Sequence, residues 1–547
     1  MRVLGINAVF HDSSAALVVD GRIVAAAEEE RFNRRKHAKT CVPFSAWELP
    51  EKAIRWCLER GGLDPSELDA VAYGYDPQLA LPTEDLTELE YEGLRTYYVR
   101  RLPNFLATLF GSFDAKRVRY VPHHVAHAAS AYLCAPFRRC AVMTLDGRGE
   151  RSSFLAGHVV DGRLEPLATV PLPHSLGLRY EDLTTHLGFH RSSDEYKVMG
   201  MAAYGTPRFA PRIAEAMYAT GLGFVAPPLD YAAYCPPRSP ADEGFEPAHA
   251  DLAASVQRRL QEILVELAHE LHARTNERCL AMAGGVALNC VANTYLAEHG
   301  PFERLWVQPA AGDAGTALGA ALYVAREGGD RIEPMRSAAL GRSWDDASIA
   351  AALETAAVAF QRSDDVAEDV AAILAENGIV AWFAGRSEFG PRALGHRSLL
   401  AHPGHADNLR RLNDIKGREQ FRPVAPMVLA ERAAELFDGP LPSPYMLFTH
   451  RVRDGWRERI PAVTHVDGTA RVQTVDATSE PLIAAVLRAF ERRTGIPALI
   501  NTSLNTAGRP MVDEPRDALE IFGSTPIDAL AIEGYVLQRR ARLGAAA

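Results

Sequence analysis

Two histidines and two aspartates are the residues of this sequence best suited to hold a metal ion. His123 and His127 lie four residues apart in VPHHVAHAASAY, a segment rich in helix formers, so one helix face would carry both imidazoles. Asp146 in LDGRG and Asp313 in AGDAGT lie in turns flanked by glycines. This mixed nitrogen and oxygen set suits Fe(II), Mn(II) or Zn(II) better than calcium or magnesium, and the lack of thiolates disfavours a closed structural zinc site. For an isolated H-x-x-x-H, the alternative interpretation is a polar helix face.

A second group of candidate residues is cationic. The segment GRSEFGPRALGHRS follows an apolar strand and places Arg386, Arg392 and Arg397 among glycines. Guanidinium groups match phosphate oxygens and glycines permit close approach, so the composition predicts an anion pocket rather than a solvated charge run. The segments NDIKGREQFRP and NTSLN supply the remaining candidates of this group, which are Lys416, Arg418, Arg422, Ser503 and Asn505. The sequence has no G-x-x-x-x-G-K-[ST], so a P-loop mechanism is not supported.

The elements that must position these residues contain an internal repeat. VLGINA, SAALVVD and a D-G turn into IVAAAEEERF predict a strand followed by a loop and a hairpin. AVMTLDGRGE and SSFLAGHVVDGRL repeat the pattern, so that VVDGRI at 18–23 is echoed by VVDGRL at 159–164. A duplication of twisted sheets of this kind resembles the actin, Hsp70 and hexokinase superfamily.

Two glycine-rich segments fit the same interpretation. LAMAGGVALNCVAN and VQPAAGDAGTALGAAL each run from a strand through glycine-rich turns into a helix. Glycine lets backbone amides approach a nucleotide, and a helix N-terminus favours its negative charge. The candidate nucleotide contacts in these segments are Gly284, Gly285, Asn289 and Gly312. Taken singly, each glycine pair is more often a tight turn.

After residue 322 the character of the sequence changes. GDRIEPMRSAALGRSWDD is typical of a linker, and DDVAEDVAAILAENG predicts an amphipathic helix leading into the strand IVAWFAG at 379–385. A further strand is expected from Pro497 to Asn505. We therefore predict an α/β fold with two domains, residues 1–338 and residues 339–547.

Composition restricts the class of protein. The chain has 547 residues, of which 47% are hydrophobic and 23% charged, as in ordinary soluble proteins with more than one domain. A net charge of −10 without a basic cluster argues against nucleic acid as a partner. The seven scattered cysteines include no C-x-x-C pair, which predicts a reduced, cytoplasmic chain. No apolar run reaches about 18 residues, so no membrane span is expected.

The motifs H-x-x-x-H, D-G-x-G, G-G-V-A-L-N and G-D-A-G-T-A-L-G-A-A, in this order, resemble those of the NodU/CmcH carbamoyltransferase family. The resemblance covers essentially the entire chain. It implies a duplicated actin/Hsp70-like (ribonuclease H-like) N-terminal domain, similar to the tRNA threonylcarbamoyl transferase. The K-x-R and S-x-N pair, together with G-R-x-E-x-G-P-R-A-L-G, implies a YrdC-like α/β C-terminal domain.

The resemblance also implies roles for the candidate residues. The four predicted metal ligands would hold Fe(II) or a similar divalent metal next to an adenylate. His11 in FHDSSA would deprotonate the acceptor hydroxyl, as a histidine with a near-neutral pKa can, and Lys197 in YKVMGMAAYG would contact phosphate or the carbamoyl group. A backbone-bonded loop histidine and a solvated surface lysine remain the alternatives. The catalytic cations of the second domain would be Arg392, Lys416 and Arg418.

The implied activity is ATP-dependent O-carbamoyl transfer. Carbamoyl phosphate and Mg-ATP would give carbamoyl-adenylate and pyrophosphate, and the carbamoyl group would then move to a hydroxyl with release of AMP. The acceptor would be a small molecule such as a polyketide or macrolide, an aminoglycoside or another antibiotic, and the motifs leave its identity open. A sugar-kinase-like phosphotransferase, an ATP-controlled binding protein and a tRNA-modifying transferase are the alternatives, and a homodimer is left open.

Overall fold

A computed structural model describes residues 1–40, 42–80, 92–242 and 244–539. The chain divides into two compact units, Met1–Arg336 and Ser337–Ala547. Among the described residues, no helix combines the length and the apolar character needed to cross a membrane.

The first unit alternates strands and helices along the chain. Its strands are β1 (Arg2–Asn7), β2 (Ser14–Val19), β3 (Arg22–Glu28), β4 (Ala70–Tyr73), β5 (Val118–Tyr120), β6 (Arg139–Leu145), β7 (Ser152–Val160), β8 (Arg163–Pro171), β9 (Tyr218–Ala219), β10 (Phe224–Val225), β11 (Cys279–Ala283) and β12 (Arg304–Val307). Its α-helices are α1 (Glu30–Asn33), α2 (Glu51–Gly61), α3 (Glu92–Arg100), α4 (Leu102–Phe110), α5 (His123–Tyr132), α6 (Leu176–His186), α7 (Glu195–Ala202), α8 (Ala210–Ala214), α9 (Pro247–Thr275), α10 (Cys290–His299) and α11 (Ala314–Glu327).

The repeated segments VVDGRI at 18–23 and VVDGRL at 159–164 form two equivalent hairpin turns. Asp20 and Gly21 join β2 to β3 with φ values of 49° and 76°, and Asp161 and Gly162 join β7 to β8 with 48° and 74°. Two successive positive φ angles match the right-handed twist of the flanking strands, and Asp-Gly is a favoured pair for such turns. The predicted hairpins are therefore confirmed.

The two main sheets of this unit repeat one topology. The first has the order β3-β2-β1-β4-β5 and the second β12-β11-β6-β7-β8. In each, an antiparallel meander of three strands is extended by two parallel strands on the side of its first strand. The strand order 3-2-1-4-5 thus occurs twice, as a duplicated ribonuclease H-like domain requires.

Helices α5 and α11 lie between the two sheets and pack against each other. Helix α11 also packs on β1, β2 and β4, whereas α5 packs on β6, β7 and β11. Their close approach depends on Gly319, because a Cβ atom built there would lie 1.8 Å from the Ala126 carbonyl oxygen of α5. The pair carries three of the four predicted metal ligands at or next to its helix starts, so this packing sets the geometry of the site.

Substituting Gly319→Ala is expected to lower the free energy of unfolding by about 1–3 kcal/mol, the usual cost of overpacking a core. The contact would be with a backbone carbonyl, which cannot rotate away as a side chain can. Urea unfolding followed by circular dichroism measures the effect. Gly523→Ala on an exposed helix turn is the control, because a Cβ there meets nothing within 4 Å. Equal stability of the two variants would contradict the close approach.

The second unit is built on a mixed sheet with the order β13-β23-β22-β14-β15-β21-β16-β20, beside a small sheet β17-β18-β19. Its strands are β13 (Gln361–Arg362), β14 (Val380–Phe383), β15 (Arg397–Ala401), β16 (Ala425–Leu429), β17 (Phe437–Asp438), β18 (His450–Val452), β19 (Thr469–Ala470), β20 (Gln473–Val475), β21 (Ala498–Ser503), β22 (Ala529–Ile532) and β23 (Tyr535–Gln538). Its α-helices are α12 (Asp346–Thr355), α13 (Val366–Ala375), α14 (Asp407–Lys416), α15 (Ala433–Leu436), α16 (Asp454–Arg457), α17 (Pro481–Thr494) and α18 (Pro515–Ser524).

The core of this unit contains the elements predicted from the sequence. The amphipathic helix is α13, whose buried face includes Val370 and Leu374, and it packs against α17. The apolar strand is β14, in which Trp382 and Phe383 are buried. Both strands predicted here, at 379–385 and at 497–505, are confirmed as β14 and β21. The predicted α/β class is confirmed in both units.

Candidate metal centre and anion site

The four predicted metal ligands come together in the first unit. His123 begins α5 and His127 lies one turn further along it, while Asp146 directly follows β6 and Asp313 directly precedes α11. One ligand atom from each residue lies within 4.8 Å of the others. The strand and helix ends of the duplicated fold therefore bring together residues that are up to 190 positions apart, from 123 to 313.

The centre is compact and buried. The Nε2 atoms of His123 and His127 are 3.2 Å apart. Asp146 Oδ2 lies 3.3 Å from His123 Nε2, and Asp313 Oδ1 lies 3.4 Å from His127 Nε2. Both histidines are fully buried, and Asp313 is 1% exposed. Four ligand atoms facing one small space, shielded from water, can coordinate one cation.

Neighbouring groups orient two of the ligands. His123 Nδ1 donates to the Gly74 carbonyl oxygen at 3.0 Å, which directs Nε2 toward the centre. Asp146 Oδ1 accepts the Gly285 N–H at 2.9 Å, so that Oδ2 faces inward. Glu150, which the sequence analysis missed, accepts the His123 backbone N–H at 2.8 Å and holds the start of α5.

Unsatisfied polar atoms fit a bound metal ion. Both carboxylate oxygens of Asp313 are buried without a hydrogen-bond partner. Burial by itself raises the pKa of Asp146, but hydrogen bonds from His123 and His127 outweigh it and hold that pKa well below its usual range. The carboxyl groups are thus anions. Buried anionic oxygens that lack donors are normally compensated by a cation, and a divalent ion between these four residues would supply it.

The glycine-rich turns lie against the same centre. Gly284 has a φ of 93°, its N–H donates to the Ala311 carbonyl oxygen at 2.8 Å, and an added Cβ would lie 2.1 Å from the Leu145 carbonyl oxygen. Gly312 accepts the Gly315 N–H at the start of α11. Only glycine fits position 284, because the turn from β11 must pass so close to the end of β6.

Asn289 has a structural contact of its own. Its side-chain oxygen accepts the Ala292 N–H at 3.0 Å and caps α10, while its amide group donates to Gln257 at 2.8 Å. The predicted nucleotide contact of Asn289 stays a prediction, as do those of Gly284, Gly285 and Gly312.

The structure places His11 beside the four candidate metal ligands. It lies in the loop between β1 and β2, 25% exposed, with Nε2 3.7 Å from Asp313 Oδ2. Lys197, on α7, pairs with Asp194 at 3.1 Å and lies over the ring of Phe189. The position of His11 suits a base acting next to the centre, and the role of Lys197 stays a prediction.

The predicted K-x-R and S-x-N motifs meet in the second unit. Lys416, the last residue of α14, donates to Ser503 Oγ at 3.2 Å and to Asn505 Oδ1 at 2.7 Å, and it also contacts both backbone carbonyls. Burial, followed by the nearby cations Arg418 and Arg422, lowers the pKa of Lys416 well below its usual range. A phosphate anion beside this cluster would favour the charged lysine, so the cluster can bind an anion.

The arginines of the glycine-rich segment differ in their surroundings. Arg397 is fully buried, and its guanidinium donates to the carbonyl oxygens of Ala384 and Gly385 at 3.1 Å. Arg386 likewise donates to the Gly341 carbonyl oxygen at 3.0 Å. Arg392 is half-buried. This geometry favours a scaffolding role for Arg386 and Arg397, and the predicted ligand contacts of all three arginines stay predictions.

Sequence reasoning missed the residues that shape this segment. One oxygen of the buried Glu388 accepts the backbone N–H groups of Leu394, His396 and Arg397 at 2.6, 3.0 and 3.3 Å. Gln473 donates to the Leu394 carbonyl oxygen at 2.8 Å. The Glu388 contacts are local, and their only signal in the sequence was the position of Glu388 inside G-R-S-E-F-G-P. The Gln473 contact joins residues 79 positions apart and left no local signal.

Comparisons with known proteins give matches to two family models, to curated relatives and to solved structures. The family model "Carbamoyltransferase N-terminus" matches residues 2–222 and 228–322, and "Carbamoyltransferase C-terminus" matches residues 371–539. The chain is 36% identical to the uncharacterized protein sll1178 of Synechocystis, over 99% of this chain and 97% of that one. It is 38% identical to nodulation protein NolNO of Sinorhizobium fredii, over 98% of this chain and 80% of that one. Among solved structures, component A of the Acidaminococcus fermentans (R)-2-hydroxyglutaryl-CoA dehydratase matches with a TM-score of 0.34 and 15% identity. The match covers 60% of this chain and 98% of component A.

The fold and the site define an α/β transferase in which the first unit repeats one sheet topology and the second unit contains a mixed sheet. The chain belongs to the carbamoyltransferase family. The resemblance predicted from its motifs is thereby confirmed, and the protein is an enzyme that transfers carbamoyl groups.

Proposed function

We propose that the protein is an ATP-dependent O-carbamoyltransferase that acts through carbamoyl-adenylate. Residues 339–547 form the adenylate and residues 1–338 transfer its carbamoyl group to a hydroxyl of a small natural product, such as an aminoglycoside, a macrolide or another antibiotic. The reaction takes place in the cytoplasm, where ATP and carbamoyl phosphate are available. The observation that carries the proposal is the pairing of a buried two-histidine, two-aspartate centre with His11 beside it.

In the first half-reaction the second unit binds carbamoyl phosphate and Mg-ATP. Water attacks the phosphorus of carbamoyl phosphate and the bond from phosphorus to the carbamoyl oxygen breaks, which gives phosphate and carbamate. A carbamate oxygen then attacks the α-phosphorus of ATP and expels pyrophosphate. Lys416, Arg418 and Arg392 neutralise the negative charge on phosphate oxygens, and Arg422, Ser503 and Asn505 line the same cluster. Preorganised cations of this kind usually make the largest electrostatic contribution to catalysis.

In the second half-reaction the first unit transfers the carbamoyl group. His11 Nε2 accepts the proton of the acceptor hydroxyl, the acceptor oxygen forms a bond to the carbamoyl carbon, and the bond from that carbon to the phosphate oxygen of AMP breaks. His123, His127, Asp146 and Asp313 would hold Fe(II) or a similar divalent ion. Such an ion supplies Lewis-acid stabilisation of negative charge on nearby oxygens. The buried position of the centre keeps water away from the reactive carbonyl.

The products of ATP test the proposal. With labelled carbamoyl phosphate, ATP and a panel of alcohol acceptors, we expect AMP and pyrophosphate to form in equal amounts, matched by carbamoylated product. Chromatographic separation of the nucleotides and a pyrophosphate assay provide the measurement. A sugar-kinase-like enzyme would release ADP instead, and an ATP-controlled binding protein would form no carbamoylated product, so either result would replace the proposal with that alternative.

A further inference from the structure

A chain of side chains leads away from His11 on the side opposite the metal centre. Asp12 Oδ2 lies 3.0 Å from His11 Nδ1, and Asp12 Oδ1 lies 2.7 Å from His37 Nδ1. His37 Nε2 in turn lies 2.8 Å from Ser193 Oγ. Four side chains from three separate loops therefore form one continuous hydrogen-bonded row that ends at the predicted base.

The backbone of this row is held in an unusual conformation. Asp12 and His37 have φ values of 50° and 61°, and Ser192, next to Ser193, has 57°. Non-glycine residues adopt this left-handed region at an energetic cost, and such residues cluster at functional sites. Asn7 Nδ2 donates to the carbonyl oxygens of His11 and Asp12 at 2.9 and 3.1 Å. These bonds stabilise the loop conformation in which the side chains of His11 and Asp12 face each other.

His37 is fixed by groups other than Asp12 as well. Its backbone N–H donates to Glu30 Oε2 at 2.8 Å, and Glu30 is buried and also pairs with Lys36. With its backbone held by Glu30, the ring of His37 cannot rotate without breaking the contact of Nδ1 with Asp12 and that of Nε2 with Ser193.

The direction of each hydrogen bond follows from the chemistry of the carboxylate. An ionised carboxylate only accepts, so both imidazoles must donate from Nδ1, one to each oxygen of Asp12. Burial raises the pKa of Asp12, but His37 and His11 outweigh it and hold that pKa well below its usual range, so the carboxylate is ionised. With Nδ1 donating to Asp12, the ring of His11 directs Nε2 toward Asp313, 3.7 Å from its Oδ2.

We propose that Asp12 and His37 are positioning residues that hold His11 in the tautomer needed to accept the acceptor proton at Nε2. Asp12 contacts His11 directly, and His37 acts through Asp12 by fixing the orientation of its carboxylate. The proton accepted from the hydroxyl makes His11 an imidazolium, which the Asp12 carboxylate stabilises until the proton passes to solvent after AMP has left. The proposal rests on the proposed function only in assigning the proton-accepting step to His11.

The first test is spectroscopic and needs no acceptor. In protein reconstituted with diamagnetic Zn(II), the proton NMR spectrum should contain low-field imidazole N–H resonances that disappear in Asp12→Asn. His37→Asn should remove one of them and His11→Asn the other. Persistence in Asp12→Asn of the two resonances that His11→Asn and His37→Asn remove would overturn the proposal.

The second test separates positioning from a merely structural role. Asparagine has the size of aspartate and tolerates a positive φ, but its amide group can force His11 into the wrong tautomer. In Asp12→Asn, kcat for transfer to the best acceptor of the panel should therefore fall roughly 10²–10⁴-fold, with little change in KM. His37→Asn retains a donor near the Nδ1 position and should keep kcat within about fivefold of the wild type, whereas His37→Ala should lose at least tenfold. His158→Asn, in a histidine–carboxylate pair of 2.7 Å on β7, is the matched control with normal kinetics.

The outcomes distinguish this proposal from the proposed function. If the unmodified protein releases ADP rather than AMP and pyrophosphate, the adenylate route fails, and the NMR result still decides the arrangement around Asp12. If AMP and pyrophosphate form normally but Asp12→Asn transfers within threefold of the wild type, the positioning role is wrong. Equal losses in folded His37→Asn and His37→Ala would also overturn it.

Discussion

Lys416→Ala is expected to abolish ATP consumption while leaving intact the transfer of carbamoyl from supplied carbamoyl-adenylate. The substitution removes the lysine at the centre of the Ser503 and Asn505 cluster, which we propose neutralises phosphate charge when the anion binds. The first unit keeps its own metal-binding residues and His11, so the second half-reaction should continue. Pyrophosphate release and carbamoylated product are measured separately, with and without added adenylate.

Arg410→Ala is the matched control for this experiment. Arg410 lies on the same helix as Lys416, is 64% exposed and pairs with Asp407 on the surface, so its loss should leave both half-reactions unchanged. Exposed ion pairs of this kind contribute little to stability. Full ATP turnover in Lys416→Ala, or no rescue by added adenylate while the protein remains folded, would contradict the division of labour between the two units.

Loss of the metal centre should produce the inverse pattern. His127→Ala, or removal of metal by a chelator, is expected to reduce carbamoyl transfer by at least about 100-fold, because a bound divalent ion contributes several kcal/mol of charge stabilisation. Formation of AMP-linked intermediate and pyrophosphate should continue in the second unit. Metal content is measured by elemental analysis alongside the transfer rate, and re-addition of Fe(II) should restore the chelated wild type but not His127→Ala.

His299→Ala is the control for the loss of a histidine as such, since His299 lies on the exposed face of α10, stacked on Tyr295. It should retain both metal and activity. A preparation of His127→Ala, or of the chelated protein, that is free of metal by analysis and still transfers at the normal rate would show that the four residues are not a functional metal site.

Local features of the sequence were enough to predict much of the fold. The Asp-Gly pairs at 20–21 and 161–162 predict hairpins because few other residues accept two positive φ angles in succession, and both hairpins occur. The amphipathic pattern at 364–378 predicted α13 for a similar reason, since its period of about 3.6 residues places one apolar face on the core. The ligand types and the four-residue spacing of His123 and His127 are likewise local properties.

Only the tertiary structure decided which of the other candidates meet. Asp146 and Asp313 reach the histidines because β6 and α11 end at the same place in a duplicated fold. Composition predicted phosphate contacts for Arg397 as well as for Arg392, yet burial against β14 directs the Arg397 guanidinium to backbone carbonyls. Spacing cannot distinguish these cases, because the direction of each guanidinium is set by how the strands around it pack.

In the row from His11 to Ser193, too, local sequence predicted one part and tertiary structure decided the rest. Motif resemblance singled out His11, and Asp12 stands beside it in the sequence, but nothing local connects them with His37 or Ser193. Those contacts arise where three loops of the first unit converge, and their distances depend on how the sheet and the helices of that unit pack. The sequence by itself therefore determined the family, the reaction class and the candidate ligands. The orientation of the candidate base was decided by tertiary packing, because hydrogen bonds between distant loops form only once the core has assembled.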